Sequence, residues 1–182
     1  MTTHPHAPAD AAVSRSLFVI SVFYGGMTCI AGVLGNKLVA LGPLAVEAGI
    51  FAFLLLVVMS SVVAETSGQK TANRLVIFGF IPLIAAMALI QLVLALPPAP
   101  FWEEEKRAAF SLILNQSARL MLAGMIAYGV SQLLNVSIFA ALKRRSAGSG
   151  RFVWLRGMIA GVLSQTVDTI LFITIAFYGV EP

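Results

Sequence analysis

"SQTVDTILF", residues 164–172, sits inside an apolar run that covers residues 152–178. An α-helix crosses a bilayer with about 20 residues, so this run is long enough to span. It nevertheless holds an acid, Asp168, near its middle. The layout recurs earlier in "SQLLNVSIF", residues 131–139: Ser-Gln, two residues, Asn in place of Asp, and a Phe four positions later. A polar pattern repeated inside two membrane-length apolar runs decides how the rest of the chain is read.

Outward from these segments the chain stays apolar. Of its 182 residues 59% are hydrophobic and 11% charged, with a mean hydropathy of +0.92. Soluble domains are about 45–50% apolar and about 25% charged. Further runs of spanning length cover residues 16–41, 43–64, 75–96 and 118–142. The expected fold class is an all-α integral membrane protein, a compact bundle of five or six transmembrane helices. One transmembrane domain covers residues 16–182, preceded by a polar, Pro-containing, disordered tail over residues 1–15. The first run is too long for the about 7–15-residue core of a signal peptide and reads as a retained span. The loop 97–117 opens with Pro residues and the interfacial aromatics Phe101 and Trp102, and its remainder suits a short surface helix.

Orientation follows from Lys and Arg. With five spans, one side receives Arg15, Lys70, Arg74, Lys143, Arg144, Arg145, Arg151 and Arg156, and the other Lys37, Lys106, Arg107 and Arg119. The positive-inside rule then places the N-terminus in the cytoplasm and the C-terminus outside. The net charge of +4 reads as this topology signal, with membrane lipid and not nucleic acid as the surroundings. Cys29 is the single cysteine and forms no internal disulfide.

Tyr128, Gln132, Asn135 and Phe139 share one helical face, and Gly161, Gln165, Asp168 and Phe172 form the same stripe on the next span. The connection is short, so the spans are antiparallel neighbours and the stripes can face each other. Asp168 at mid-span costs about 2.5–3.5 kcal/mol on insertion scales, so it faces a partner or a cavity. Two readings stand. Gln132, Asn135, Gln165 and Asp168 form a hydrogen-bonded clamp between helices, or they line a midplane site for a polar solute. Asn36, Lys37 and Glu47 fall at the external junction of the first two spans: Lys37 and Glu47 suit an exposed ion pair, and Asn36 an entrance. Glu65, Lys70 and Arg74 belong to the cytoplasmic turn, solvated or paired, and Pro82 kinks the third span. Gly25–Gly26, Ala31–Gly35, Ala123–Ala127 and Gly157–Gly161 offer small surfaces for close packing. Catalysis has little support. The histidines, His4 and His6, lie in the tail, and there is neither a metal-ligand cluster nor a phosphate-cradling loop. No catalytic residue, metal or cofactor is expected.

Five segments together resemble the queuosine precursor transporter family, also called the vitamin uptake transporter family. They are "NK" at 36–37, "EAGIFAF" at 47–53, "AETSGQKTANR" at 64–74, "YGVSQLLNVSIFAALKR" at 128–144 and "SQTVDTILFITIAFYG" at 164–179. The resemblance implies a fold similar to small vitamin-uptake membrane subunits. It implies import of 7-cyano-7-deazaguanine or a related 7-deazaguanine across the bacterial inner membrane, feeding queuosine biosynthesis. Members generally carry one span more after the segment matching 164–179; a homo-oligomer or a shortened chain accounts for the difference. A carboxylate accepts from the N1–H and 2-amino groups of a guanine edge, a role for Asp168. Gln132, Asn135 and Gln165 supply amide contacts, and Tyr128, Phe139 or Phe172 stack on the ring; Asn36 and Glu47 complete the expected solute-binding set. Two other readings compete. One is the substrate-capture subunit of an energy-coupling-factor vitamin transporter. The other is a membrane assembly or scaffold protein that transports nothing.

Overall fold

A computed structural model describes residues 14–115, 118–146 and 152–179. The tail up to residue 13, together with Arg151 and Glu181, lies outside the described residues. The first helix, α1, runs Arg15–Leu34, opened by the Ser14 hydroxyl accepting from the Leu17 N–H at 3.2 Å. It stops well before residue 41, which corrects the expected span 16–41. Gly35 follows the last turn, and the Asn36 amide donates to the Gly32 and Val33 carbonyls at 3.3 and 3.2 Å. These bonds satisfy carbonyls that a helix end leaves open.

An antiparallel hairpin follows: β1, Leu38–Leu41, pairs with β2, Leu44–Glu47, in the register Leu38↔Glu47 to Leu41↔Leu44. Gly42 has φ 62°. Pro43 cannot take positive φ, so the two-residue turn is of the type with glycine alone in the left-handed region. The Ala48 N–H donates to the Lys37 carbonyl at 2.8 Å and closes the base of the hairpin. The second span therefore starts late: α2 is Gly49–Thr66, not residues 43–64. At the α1–α2 crossing, a Cβ on Gly49 would lie 2.9 Å from the Ala31 carbonyl oxygen.

The third helix, α3, runs Gln69–Ala95 and includes Pro82. It begins earlier than expected, so Lys70 and Arg74 lie in its first turns instead of a connecting turn. The expected surface helix is present as α4, Glu104–Leu114, with no buried residue. Trp102 meets Phe110 edge-on at 5.8 Å. The last two helices are α5, Ala118–Arg145, and α6, Val153–Phe177. Five of the six helices among the described residues are long and apolar enough to cross a membrane. Chain direction gives the bundle two ends: a hairpin end, which also carries α4, and a basic end, where α2 turns into α3 and α5 leads to α6.

Tyr24, Leu56, Val63, Val76, Val136 and Phe139 form the core, each fully buried. Outward faces remain apolar, as at Phe18, Phe78, Ile81, Leu89, Val162 and Ile173. Soluble monomers do not expose apolar surface so continuously; in lipid it is the expected exterior. Packing inside is tight. A Cβ on Gly79 would sit 2.7 Å from Tyr24 Cε1. Gly79→Ala should therefore cost about 1–3 kcal/mol through overpacking. The thermal midpoint in detergent checks this, and an unchanged midpoint would show that Tyr24 moves aside freely.

Candidate functional site

Antiparallel packing of α6 on α5 brings Asp168 to Ser131, whose hydroxyl donates to Asp168 Oδ1 at 2.8 Å. The carboxylate is half-buried, and among the described residues no Lys or Arg pairs with it. One hydroxyl leaves most of the acceptor sites of a carboxylate unused. Gln165 lies one turn before it on α6, half-buried, with no side-chain hydrogen-bond partner among the described residues. Phe172 lies one turn beyond. A Cβ on Gly124 of α5 would touch its ring at 4.0 Å, and its own neighbour is Phe177 at 6.5 Å.

Glu47, the last residue of β2, belongs to the same neighbourhood. The residue as a whole is exposed, but its carboxylate bends back toward the end of α1: a Cβ on Gly35 would lie 3.7 Å from Glu47 Oε2. Partial burial, and then the negative charge of Asp168, push the Glu47 carboxyl above its usual range. The hairpin thus holds a second acid within the field of the first. The expected pairing of Glu47 with Lys37 is not among the ion pairs of the described residues. Asn36 is exposed and spends its amide on capping α1.

The α5 stripe points elsewhere. Gln132 and Asn135 are fully buried and face α2. Asn135 Nδ2 donates to Ser60 Oγ at 3.0 Å, Ser61 Oγ at 3.3 Å and the Val57 carbonyl at 3.4 Å, and Ser60 donates to Gln132 Oε1 at 3.5 Å. Gly161 of the α6 stripe also packs on Val57: a Cβ there would meet Val57 Cγ1 at 3.2 Å. Near Val57 residues of both stripes meet α2, while Asp168 and Phe172 of the α6 stripe meet α5 at Ser131 and Gly124. Direct polar contact between α5 and α6 uses Ser131, one position before Gln132. A single residue step turns the helix by about 100°, which separates the face meeting α6 from the face meeting α2. Among the described residues Gln132 Nε2 and Asn135 Oδ1 have no partner, an unmatched donor and an unmatched acceptor on successive turns.

Tyr128 and Phe139 are buried with their rings engaged. Tyr128 lies between Phe53 and Phe80, at 5.6 and 5.3 Å, and its hydroxyl donates to Tyr24 at 2.7 Å. Phe139 carries the Arg156 guanidinium 5.5 Å from its ring centre. Of the expected stacking residues, Phe172 follows Asp168 by one turn on α6, and Tyr128 also lies within the electrostatic reach of that carboxylate.

At the basic end, Glu65 pairs with two cations. Lys143 Nζ reaches Glu65 Oε2 at 3.4 Å and its carbonyl at 2.6 Å; Arg156 Nη2 reaches Oε1 at 3.4 Å. Arg156 is only 4% exposed, which a count of basic residues does not reveal. Sequence reasoning also missed Ser60, Ser61, Ser131 and Tyr24. Their small or mixed character leaves little contrast in an apolar run. Ser131 alone had a signal, as the first residue of the repeated Ser-Gln pair.

A groove of about 560 Å³ between the end of α3 and α4, bordered by Pro97, Trp102, Arg107 and Phe110, contains none of the expected solute-binding residues.

Comparison with known proteins gives the relationship. Residues 47–181 match the family described as "Putative vitamin uptake transporter". The chain is similar to a protein of Bacillus subtilis (strain 168) named "Probable queuosine precursor transporter". The two are 32% identical over 123 residues, which is 68% of this chain and 52% of that protein. The chain thus spans about half the length of that relative. No solved structure matches. The match covers Glu47, the Glu65 cluster and both Ser-Gln segments, and with five membrane-length helices it makes this multi-pass membrane protein a member of the vitamin uptake transporter family.

Proposed function

We propose that the chain imports a queuosine precursor, 7-cyano-7-deazaguanine or a related 7-deazaguanine, across the bacterial inner membrane. The observation that carries this is Asp168: among the described residues, a mid-span carboxylate held by one hydroxyl and no cation, one turn from the amide of Gln165, which has no partner there, and from the ring of Phe172. A buried acid without a counter-charge is costly in a membrane and marks solute or ion paths. Its vacant acceptor sites suit the adjacent N1–H and 2-amino donors of a guanine edge. Glu47 stands toward the hairpin end, where a solute approaching from that side meets it first. Gln132 and Asn135 lie deeper, with an unmatched donor and acceptor for the rest of the ring edge once α2 and α5 part. The relative's printed name supports the same solute class.

Uptake of labelled 7-deazaguanine by cells expressing this chain alone tests the reading. Accumulation is expected without any added ATPase. Accumulation that requires an ATPase and coupling subunit would instead identify an energy-coupling-factor capture subunit. Absence of binding to the purified chain would favour a scaffold.

The transport direction rests on an N-terminus in the cytoplasm. In a chain with Cys29 replaced by Ser, Glu104→Cys should react with an impermeant thiol reagent in intact cells, and Gly148→Cys should not. The opposite pattern reverses the orientation.

A further inference from the structure

The two ends of the bundle are held together unequally. At the basic end, charge links α2 to both α5 and α6 through Glu65, Lys143 and Arg156. Arg156 also donates to Ser146 at 3.2 Å, and Arg144 to Gln69 of α3 at 3.4 Å. The hairpin end has no such cross-tie among the described residues. Glu47 at the hairpin and the mid-span Asp168 are acids that no Lys or Arg pairs among the described residues. Asp168 lies beyond the Arg156 cluster by about 18 Å of helix, at about 1.5 Å per residue. Both ion pairs with Glu65 are 3.4 Å long, against about 2.7–2.9 Å for strong charge-assisted bonds. The two carboxylate contacts are long, while Lys143 also holds the Glu65 carbonyl at 2.6 Å, a bond that loss of the Glu65 charge leaves in place.

We propose that Glu65, Lys143 and Arg156 form a releasable latch that seals the basic end, so that the arrangement described is closed there and opens toward Glu47, and that parting of the latch exposes the interior to the opposite side. The latch rests on the transport reading for its purpose but not for its motion. Charge attraction favours closure at the basic end, and no ion pair among the described residues does so between helices at the hairpin end, an asymmetry that suits rocking around a midplane site.

The test uses the full chain in oriented vesicles, with Cys29 replaced by Ala and the reporter Ser164→Cys. Ser164 is fully buried, bonded to the Gly161 carbonyl, and lies between Arg156 and Asp168. An impermeant thiol reagent is added to one face at a time. Glu65→Gln should speed labelling from the basic end by roughly tenfold, through a larger open population, and should not speed it from the hairpin end. Glu65→Asp, which keeps the charge, should stay near the parent rate. Lys143→Gln should act in the same direction to a smaller extent, and it decides the matter if Glu65→Gln does not fold. An unchanged rate from the basic end in a folded variant overturns the latch. So does an equal rise from both faces, accompanied by a rise at a second buried reporter, Thr28→Cys, because that pattern is general loosening. Uptake is measured separately. Latch-dependent labelling without 7-deazaguanine uptake rejects the solute and keeps the latch, whereas uptake with side-independent labelling does the reverse.

Discussion

Asp168→Asn should lower the affinity for a 7-deazaguanine by roughly two to four powers of ten, at about 1.4 kcal/mol for each. The new amide keeps the size of the carboxylate and can still accept from Ser131. It loses charge-assisted bonds to the two donors of the ring edge, each worth about 1.5–3 kcal/mol, and can turn an N–H toward a donor, at a further cost of about 1–3 kcal/mol. The empty protein should keep or gain stability, because a half-buried mid-span charge that no cation pairs among the described residues has been removed. Dissociation constants and melting temperatures of both proteins separate the cases. Equal affinities would remove Asp168 from the site. A collapsed melting temperature alongside lost affinity would favour the interhelical clamp through Ser131.

Arg156→Met should destabilise the folded bundle by about 3–5 kcal/mol, the range for breaking a buried ion pair from one side. The side chain is 5% exposed and serves Glu65 and Ser146 by hydrogen bonds and Phe139 by its charge over the ring. Methionine fills the space but leaves Glu65 with Lys143 as its one ion-pair partner and Phe139 without its cation. A fall in melting temperature on the order of 10 °C follows for a chain of this size. Glu65→Gln in the same chain should recover part of it, since the carboxylate is then no longer held against too little positive charge. Equal stability of Arg156→Met and the parent would mean that the pair contributes nothing beyond packing.

Helix number was legible because spanning helices announce themselves by length and composition, and 75–96, 118–142 and 152–178 fall within a few residues of α3, α5 and α6, apart from the earlier start of α3. The hairpin was not legible. Leu38–Leu41 and Leu44–Glu47 are as apolar as a helix, and the backbone signals are local: Asn36 turning on α1, Gly42 in the left-handed region and Pro43 after it. Hydropathy averages over such features. In the candidate site, Asp168 stood out because an isolated charge in apolar sequence has few explanations. Its contact, Ser131, did not, because the Gln and Asn beside it draw attention to a face that meets α2. Arg156 was read as a topology marker although it is buried, since burial of a charge near a helix start depends on Glu65 and Lys143, which are remote in sequence.

The hairpin also has a mechanical consequence. Its paired register, closed by the Ala48-to-Lys37 bond, ties the end of α1 to the start of α2 through backbone hydrogen bonds. Sliding of one helix along the other would shift every rung of that ladder. A slip by one residue would also reverse which side chains point to each face. The pair is therefore stiff to shear, with Glu47 at its hairpin and Glu65 near the other end of α2. An angular swing of the pair about the middle of α2 would move the two carboxylates in opposite senses, one toward the α5–α6 pair as the other withdraws.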